Sequence, residues 1–120
     1  MVTELDDLQH ISVDEAIELA SGSSQLIDVR EQWEWDAGHA PMATLLPLSE
    51  LQSRVEELHK DATLLVVCHS GQRSLAATAF LVDAGYDAIN VLGGMSAWRR
   101  AGGPLVTGPS GAEGSEPPHA

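Results

Sequence analysis

The feature that most constrains the fold of this chain is a run of five residues, Thr63–Val67, that is apolar with no polar alternation. A strand solvated on one face alternates apolar and polar residues, whereas a strand covered on both faces is apolar throughout. Segments with helical patterns lie on both sides of this run along the sequence. Strands that alternate with helices pair in parallel. The pattern therefore predicts an α/β three-layer sandwich, with a central parallel sheet flanked by helices.

The other predicted elements continue this alternation. Capping-box patterns at Ser12–Glu15 and Ser49–Gln52 predict two helix starts. Further strands are predicted at residues 25–29, 45–46 and 88–92, and further helical segments at residues 30–37, 74–85 and 95–101. We expect one folded domain over residues 10–106. Residues 107–120 are dominated by Gly, Pro, Ser and Glu, which predicts a disordered tail.

Charge and cysteine content exclude several classes of function. The net charge of −12 argues against nucleic acid or an anionic membrane as a partner. No apolar run approaches the roughly 18 residues of a membrane span, and residues 1–10 lack the pattern of a secretory signal. A single cysteine can form neither an internal disulfide nor a cysteine-based zinc site. We therefore expect a cytoplasmic protein without a metal site.

The single cysteine stands where the apolar run ends and the next helix begins. The loop reads Cys68-His69-Ser70-Gly71-Gln72-Arg73-Ser74. Free backbone N–H groups and the helix dipole at such a position favour the thiolate over the thiol. Cys68 is therefore a candidate nucleophile. The alternative is a buried structural cysteine, since free cysteines are often inert core residues.

The other residues of this loop have expected roles in binding an anion. We expect N–H groups from His69 to Ser74 to converge on the sulfur or on a group attached to it. Ser70 adds a hydroxyl donor, as does Ser74, and Gly71 permits the turn. Arg73 offers a planar cation for an oxyanion such as thiosulfate or phosphate.

His69 could favour the thiolate of its neighbour as in a Cys–His pair. Adjacent side chains on a tight loop usually diverge, so we expect His69 to point outward.

Some polar and aromatic residues elsewhere have competing interpretations. Asp28 and Arg30, at a predicted strand end, could steer substrate, but we expect them to brace neighbouring loops. His39 has no metal-ligand spacing around it, which favours a structural hydrogen bond. Trp33 and Trp35 could line the rim of a pocket, although packing or partial exposure is the expected role of each.

An ordered set of segments resembles the single-domain rhodaneses, the thiosulfate sulfurtransferase family. The segments are residues 28–31, Glu34, residues 38–41, residues 47–51, the Cys68–Ser74 loop, residues 92–95, Trp98, Gly102 and Pro104. They occur in the family's order and span residues 10–106. Met42 stands where the family usually has Gly, and His69 where it often has Arg.

The resemblance implies a fold and a mechanism. It implies a parallel sheet of about five strands. The Cys68 thiolate would take the outer sulfur of a donor such as thiosulfate and hold it as a persulfide, with Arg73 on the donor's sulfonate. An external acceptor (cyanide, a thiol or a protein) would then remove the sulfur, and no cofactor is needed.

Two other functions stay open. One is a rhodanese-like module that binds partners with weak or no sulfur transfer. The other is a cysteine phosphatase or arsenate reductase. Cysteine phosphatases place five residues between their Cys and Arg, whereas four separate Cys68 from Arg73. The shorter loop favours holding one sulfur over surrounding a phosphate.

Overall fold

The structure is a computed structural model that describes residues 7–109. Five parallel strands form one sheet in the order β1-β5-β4-β2-β3. In chain order the elements are β1 (His10–Ile11), α1 (Val13–Ala20), β2 (Gln25–Asp28), α2 (Gln32–Ala37), β3 (Ala43–Leu45), α3 (Leu48–Arg54), a 3-10 turn (Val55–Glu57), β4 (Thr63–Val67), α4 (Gln72–Asp83), β5 (Asp87–Val91) and α5 (Gly94–Arg100). The predicted fold class is confirmed.

The central strand β4 is apolar and buried from Leu64 to Val67 because its two faces contact different helices. Leu65 and Val67 face a core shared with α1, α2 and α5. Leu64, Val66 and the residue after the strand, Cys68, face a core shared with α3 and α4. The period of two along a strand thus places the cysteine side chain on the α4 side of the sheet.

A crevice is expected at the carboxyl ends of β2 and β4. These strands are neighbours, but the chain leaves β2 toward β3 and leaves β4 toward β5, on opposite sides. In open parallel sheets, ligands bind at such a reversal of strand order. The Cys68 loop follows β4 and helix α2 follows β2, so both elements border this position.

The helix starts agree only in part with the sequence patterns. The Ser12 hydroxyl accepts a hydrogen bond from Glu15 N at 3.2 Å, as predicted. The capping box predicted at Ser49 is wrong, because α3 begins at Leu48 and has Pro47 as its N-cap. Proline fixes the backbone at the helix entrance, and the N-cap lies two residues earlier than predicted, at Pro47 instead of Ser49.

Two further points concern the ends of the domain. The edge strand β1 was not predicted from the pattern, because two residues are too few to show a period. Most of the predicted tail, residues 110–120, lies outside the described residues, as do residues 1–6.

Candidate active site

Cys68 is buried at the carboxyl end of β4, with 1% of its surface exposed. Its Sγ accepts a hydrogen bond from the backbone N–H of Gly71 at 3.1 Å. Gly71 is the N-cap of α4 and has a φ of 117°, which a side chain would strain. Within residues 7–109, Gly71 N is the loop amide that reaches the sulfur. The sulfur therefore lies at the start of α4, next to a fixed donor.

Ser74 provides the second polar contact to the sulfur. Its Oγ lies 3.4 Å from Cys68 Sγ, 3.2 Å from Gly71 O and 2.6 Å from Asn90 Oδ1. Asn90 Nδ2 in turn lies 3.1 Å from His10 Nδ1. Sequence reasoning missed Asn90 and His10, because they lie on β5 and β1 and no local pattern links them to the loop.

The first turn of α5 holds the beginning of the loop. Met95 N donates to Cys68 O at 2.7 Å, and Ser96 N donates to His69 O at 3.0 Å. A Cβ at Gly94 would overlap both carbonyl groups. Glycine is therefore required for this approach, and α5 fixes the backbone that carries the sulfur.

Arg73 forms an ion pair that the sequence did not predict. Its Nη1 and Nη2 each donate to a different carboxylate oxygen of Glu34, on α2, at 2.7 Å. These hydrogen bonds lower the pKa of Glu34 from 4.5 to about 2, although partial burial opposes the shift. Glu34 occupies the guanidinium of Arg73 in this structure, and the expectation that Arg73 binds an oxyanion stays a prediction.

Three other loop residues are exposed. The His69 ring is exposed, and its Nε2 lies 3.4 Å from Ser96 Oγ on α5. Ser70 and Gln72 are also exposed. Within residues 7–109, none of these three side chains forms a hydrogen bond with Cys68 Sγ.

Asp28 and Arg30 form a buried brace between β2 and the end of α2. The Asp28 carboxylate accepts hydrogen bonds from Arg30 Nε and Nη2, the latter at 2.8 Å. Arg30 Nη2 also donates to Gly38 O at 2.8 Å. Both residues are at most 5% exposed, so this pair is part of the packed structure.

The aromatic residues of α2 separate into a buried and an exposed position. Trp35 is fully buried, and its ring stacks on His39 with 3.7 Å between centroids. The His39 Nδ1 bonds Trp35 O at 2.9 Å. Trp33 is 73% exposed. Within residues 7–109 there is no group of three His, Cys, Asp or Glu side chains that could hold a metal ion.

Two grooves adjoin the loop. The larger, about 330 Å³, is lined by Arg30, Trp33, Glu34, Ala37, Gly38, His69 and Arg99. The smaller, about 220 Å³, is lined by Arg30, His69, Met95, Ser96, Arg99 and Arg100. Three of the chain's six Lys and Arg residues thus lie here, in a protein of net charge −12. Cys68 lines neither groove.

The sequence matches the Rhodanese-like domain family over residues 12–101. The chain belongs to the rhodanese-like domain family. This match covers β2 to β5 and includes the whole cysteine loop. The resemblance stated from the sequence is thereby confirmed. In the part of the chain that the structure describes, no helix is long and apolar enough to span a membrane.

Relatives and solved structures agree with this membership. A Bacillus subtilis protein named "Putative sulfurtransferase YtwF" is 35% identical over 95 residues, which are 79% of this chain and 91% of that protein. A rhodanese-related protein from Thermoplasma volcanium superposes with a TM-score of 0.78 at 32% identity, covering 82% of this chain and 97% of that one. A rhodanese-like domain protein from Staphylococcus aureus gives 0.70 at 33% identity, covering 76% and 91%. These similarities support sulfurtransferase activity in this rhodanese-like domain.

Proposed function

We propose that this rhodanese-like domain is a cytoplasmic sulfurtransferase that carries a sulfane sulfur on Cys68. The observation that carries the proposal is the 3.1 Å contact from Gly71 N to Cys68 Sγ at the N-cap of α4. A fixed N–H donor and the positive end of a helix stabilise a negatively charged sulfur. A buried structural cysteine would need neither feature.

The donor is an anionic sulfur compound such as thiosulfate. The Cys68 thiolate attacks the outer sulfur, so a new S–S bond forms while the bond between the two donor sulfurs breaks. Sulfite leaves with the electron pair of that bond, and Cys68 becomes a persulfide. The first N–H groups of α4 have no intrahelical acceptor, which makes them available to the outer sulfur of the persulfide.

The acceptor comes from outside the chain. A thiophile such as cyanide, a thiol or a protein cysteine attacks the outer sulfur of the persulfide, and the Cys68 thiolate is the leaving group. The chain holds no second cysteine that could resolve the persulfide. The transfer therefore proceeds in two separate steps with a covalent intermediate and needs no cofactor. A single reactive thiol of this kind fits a reducing compartment.

The cations nearest the loop are suited to the donor's oxyanion. Arg99 and His69 line both grooves and are exposed. Within residues 7–109 no carboxylate forms an ion pair with Arg99, whereas Arg73 is paired with Glu34. We therefore assign the initial binding of the donor to Arg99 and His69. Arg73 would take part only after separating from Glu34.

Mass spectrometry of the intact protein tests the function. After thiosulfate treatment without reductant, we expect one adduct of about 32 Da on the wild type and none on Cys68→Ser, as covalent catalysis requires. Addition of cyanide should remove the adduct. If no adduct forms, the chain is a binding module without sulfur transfer. Hydrolysis of a phosphate ester that is lost in Cys68→Ser would instead support the phosphatase.

A further inference from the structure

A line of hydrogen bonds connects the Cys68 sulfur to the protein surface. Cys68 Sγ lies 3.4 Å from Ser74 Oγ, which lies 2.6 Å from Asn90 Oδ1. Asn90 Nδ2 lies 3.1 Å from His10 Nδ1. We call Ser74, Asn90 and His10 the relay. Ser74 and Asn90 are at most 1% exposed, whereas His10 is an exposed residue of the edge strand β1.

The distances define the direction of each hydrogen bond when Cys68 is a thiol. A serine hydroxyl has one hydrogen, and the shortest contact of Ser74, at 2.6 Å, is with Asn90 Oδ1. Ser74 therefore donates to Asn90, and its oxygen accepts the Cys68 S–H. The Asn90 amide nitrogen then donates to His10 Nδ1, so the neutral imidazole carries its hydrogen on Nε2.

This arrangement does not suit the thiolate. An ionised sulfur can only accept hydrogen bonds. The Ser74 hydroxyl must therefore turn its hydrogen toward Sγ to become a second donor to the sulfur, beside the Gly71 N–H. Two oxygens, Ser74 Oγ and Asn90 Oδ1, would then lie 2.6 Å apart with no hydrogen between them. Reversal of the Asn90 amide removes the conflict, because its nitrogen then donates to Ser74 Oγ.

The reversed amide places its oxygen against His10 Nδ1, which must now carry a hydrogen. An imidazole can meet both requirements, because its hydrogen sits on either nitrogen. We propose that His10 is a positioning residue for the Cys68 thiolate, acting through Asn90 and Ser74. The thiol proton leaves to solvent. The neutral His10 ring changes tautomer, so that its one N–H hydrogen is on Nδ1 instead of Nε2. The relay therefore neither gains nor loses a proton.

The proposal rests on Cys68 being the nucleophile of the proposed function, but its test needs no sulfur donor. Iodoacetamide alkylates the single cysteine, and its rate at about pH 7 reports the thiolate fraction. His10→Asp places an acceptor without a hydrogen at this position. Gln9→Asp adds the same charge at the neighbouring exposed residue. We expect His10→Asp to react about tenfold more slowly than Gln9→Asp, because the thiolate loses one hydrogen bond.

His10→Asn is the conservative variant, because an amide can accept or donate by reversing. We expect its alkylation rate to stay within about twofold of the wild type. In a Ser74→Ala background, His10→Asp should react no more slowly than Gln9→Asp, since the relay is already broken. Thermal unfolding of each variant verifies the fold.

The proposal is overturned if His10→Asp and Gln9→Asp react equally, or if His10→Asn is as slow as His10→Asp. Equal rates with normal formation of the 32 Da adduct (about one sulfur atom) reject the relay and leave the proposed function intact. The expected order of rates without any adduct rejects sulfur transfer and leaves the relay intact.

Discussion

Arg73, at the start of α4, donates two parallel 2.7 Å hydrogen bonds to Glu34 on α2, which lies 39 residues earlier in the sequence. The two helices cover opposite faces of the sheet. The ion pair therefore connects the two outer layers beside the crevice of the cysteine loop. It also explains why the arginine of the loop is not a free cation for the donor.

Glu34→Gln should lower stability at neutral pH and have less effect in acid. The pKa of Glu34 is lowered from 4.5 to about 2 in the folded protein, so the ion pair stabilises the fold fully above about 4.5. That stabilisation is lost as the pH falls from 4.5 toward about 2. The difference in unfolding free energy between wild type and Glu34→Gln should shrink over this window. Urea denaturation at several pH values measures it.

Glu57→Gln is the control for that experiment. Glu57 pairs with Arg54 on the surface, where its side chain is 57% exposed, and exposed ion pairs contribute little. A smaller effect than that of Glu34→Gln is therefore expected at neutral pH. If the two variants behave alike, the Arg73–Glu34 contact is no stronger than an ordinary surface pair.

Arg99→Gln should weaken donor binding without slowing the chemical step. Loss of one exposed charge contact, worth up to about 1 kcal/mol, raises the KM for thiosulfate about fivefold and leaves kcat unchanged. Steady-state kinetics with cyanide as acceptor give both constants. Lys60→Gln is the control. It removes one positive charge just before the amino end of β4, whereas the Cys68 loop follows the carboxyl end. An equal rise in KM for both variants would show that net charge, not contact with Arg99, controls donor binding.

Gly94→Ala should destabilise the protein and slow the alkylation of Cys68. The new Cβ would overlap the carbonyl groups of Cys68 and His69, and the residue has a φ of 58°. Alanine at an incompatible positive φ costs more than about 1 kcal/mol before the overlap is counted. Urea denaturation and iodoacetamide kinetics measure the two effects.

Gly102→Ala is a control that separates the backbone strain of a positive φ from the overlap of a new Cβ with neighbouring atoms. Gly102 has a φ of 77°, but a Cβ there meets nothing within 4 Å. Its loss of stability should be smaller than that of Gly94→Ala, and its alkylation rate should equal that of the wild type. A comparable loss in both variants would contradict a packing role for the close approach of α5 to the loop.

Asp28→Asn should be among the more damaging single changes outside the cysteine loop. It leaves the Arg30 guanidinium buried without a carboxylate, and breaking a buried ion pair costs about 3–5 kcal/mol. Chemical denaturation measures the loss. Glu50→Gln, which removes an exposed partner of Arg54, should cost less than about 1 kcal/mol. Similar losses would show that burial adds nothing to the Asp28–Arg30 pair.

Local patterns in the sequence were sufficient to predict a sheet between two layers of helices and to place the cysteine in a loop after a strand. The apolar run Thr63–Val67 predicted a strand covered on both faces, because a strand that is buried on both faces needs no polar face. The change from this strand to the pattern of α4 placed Cys68 in the loop between them. These predictions succeeded because periodicity and turn chemistry act within a few residues.

The partners of the site depended on the tertiary structure. Glu34 meets Arg73 and His10 meets Asn90 across 39 and 80 residues of sequence, and no local pattern encodes such distances. The sequence by itself determined the α/β fold and the nucleophile candidate, through short-range periodicity. Only the tertiary structure decided which arginine is paired with a carboxylate and which side chains lie next to the Cys68 sulfur, because parallel pairing brings together strands that are distant in the chain.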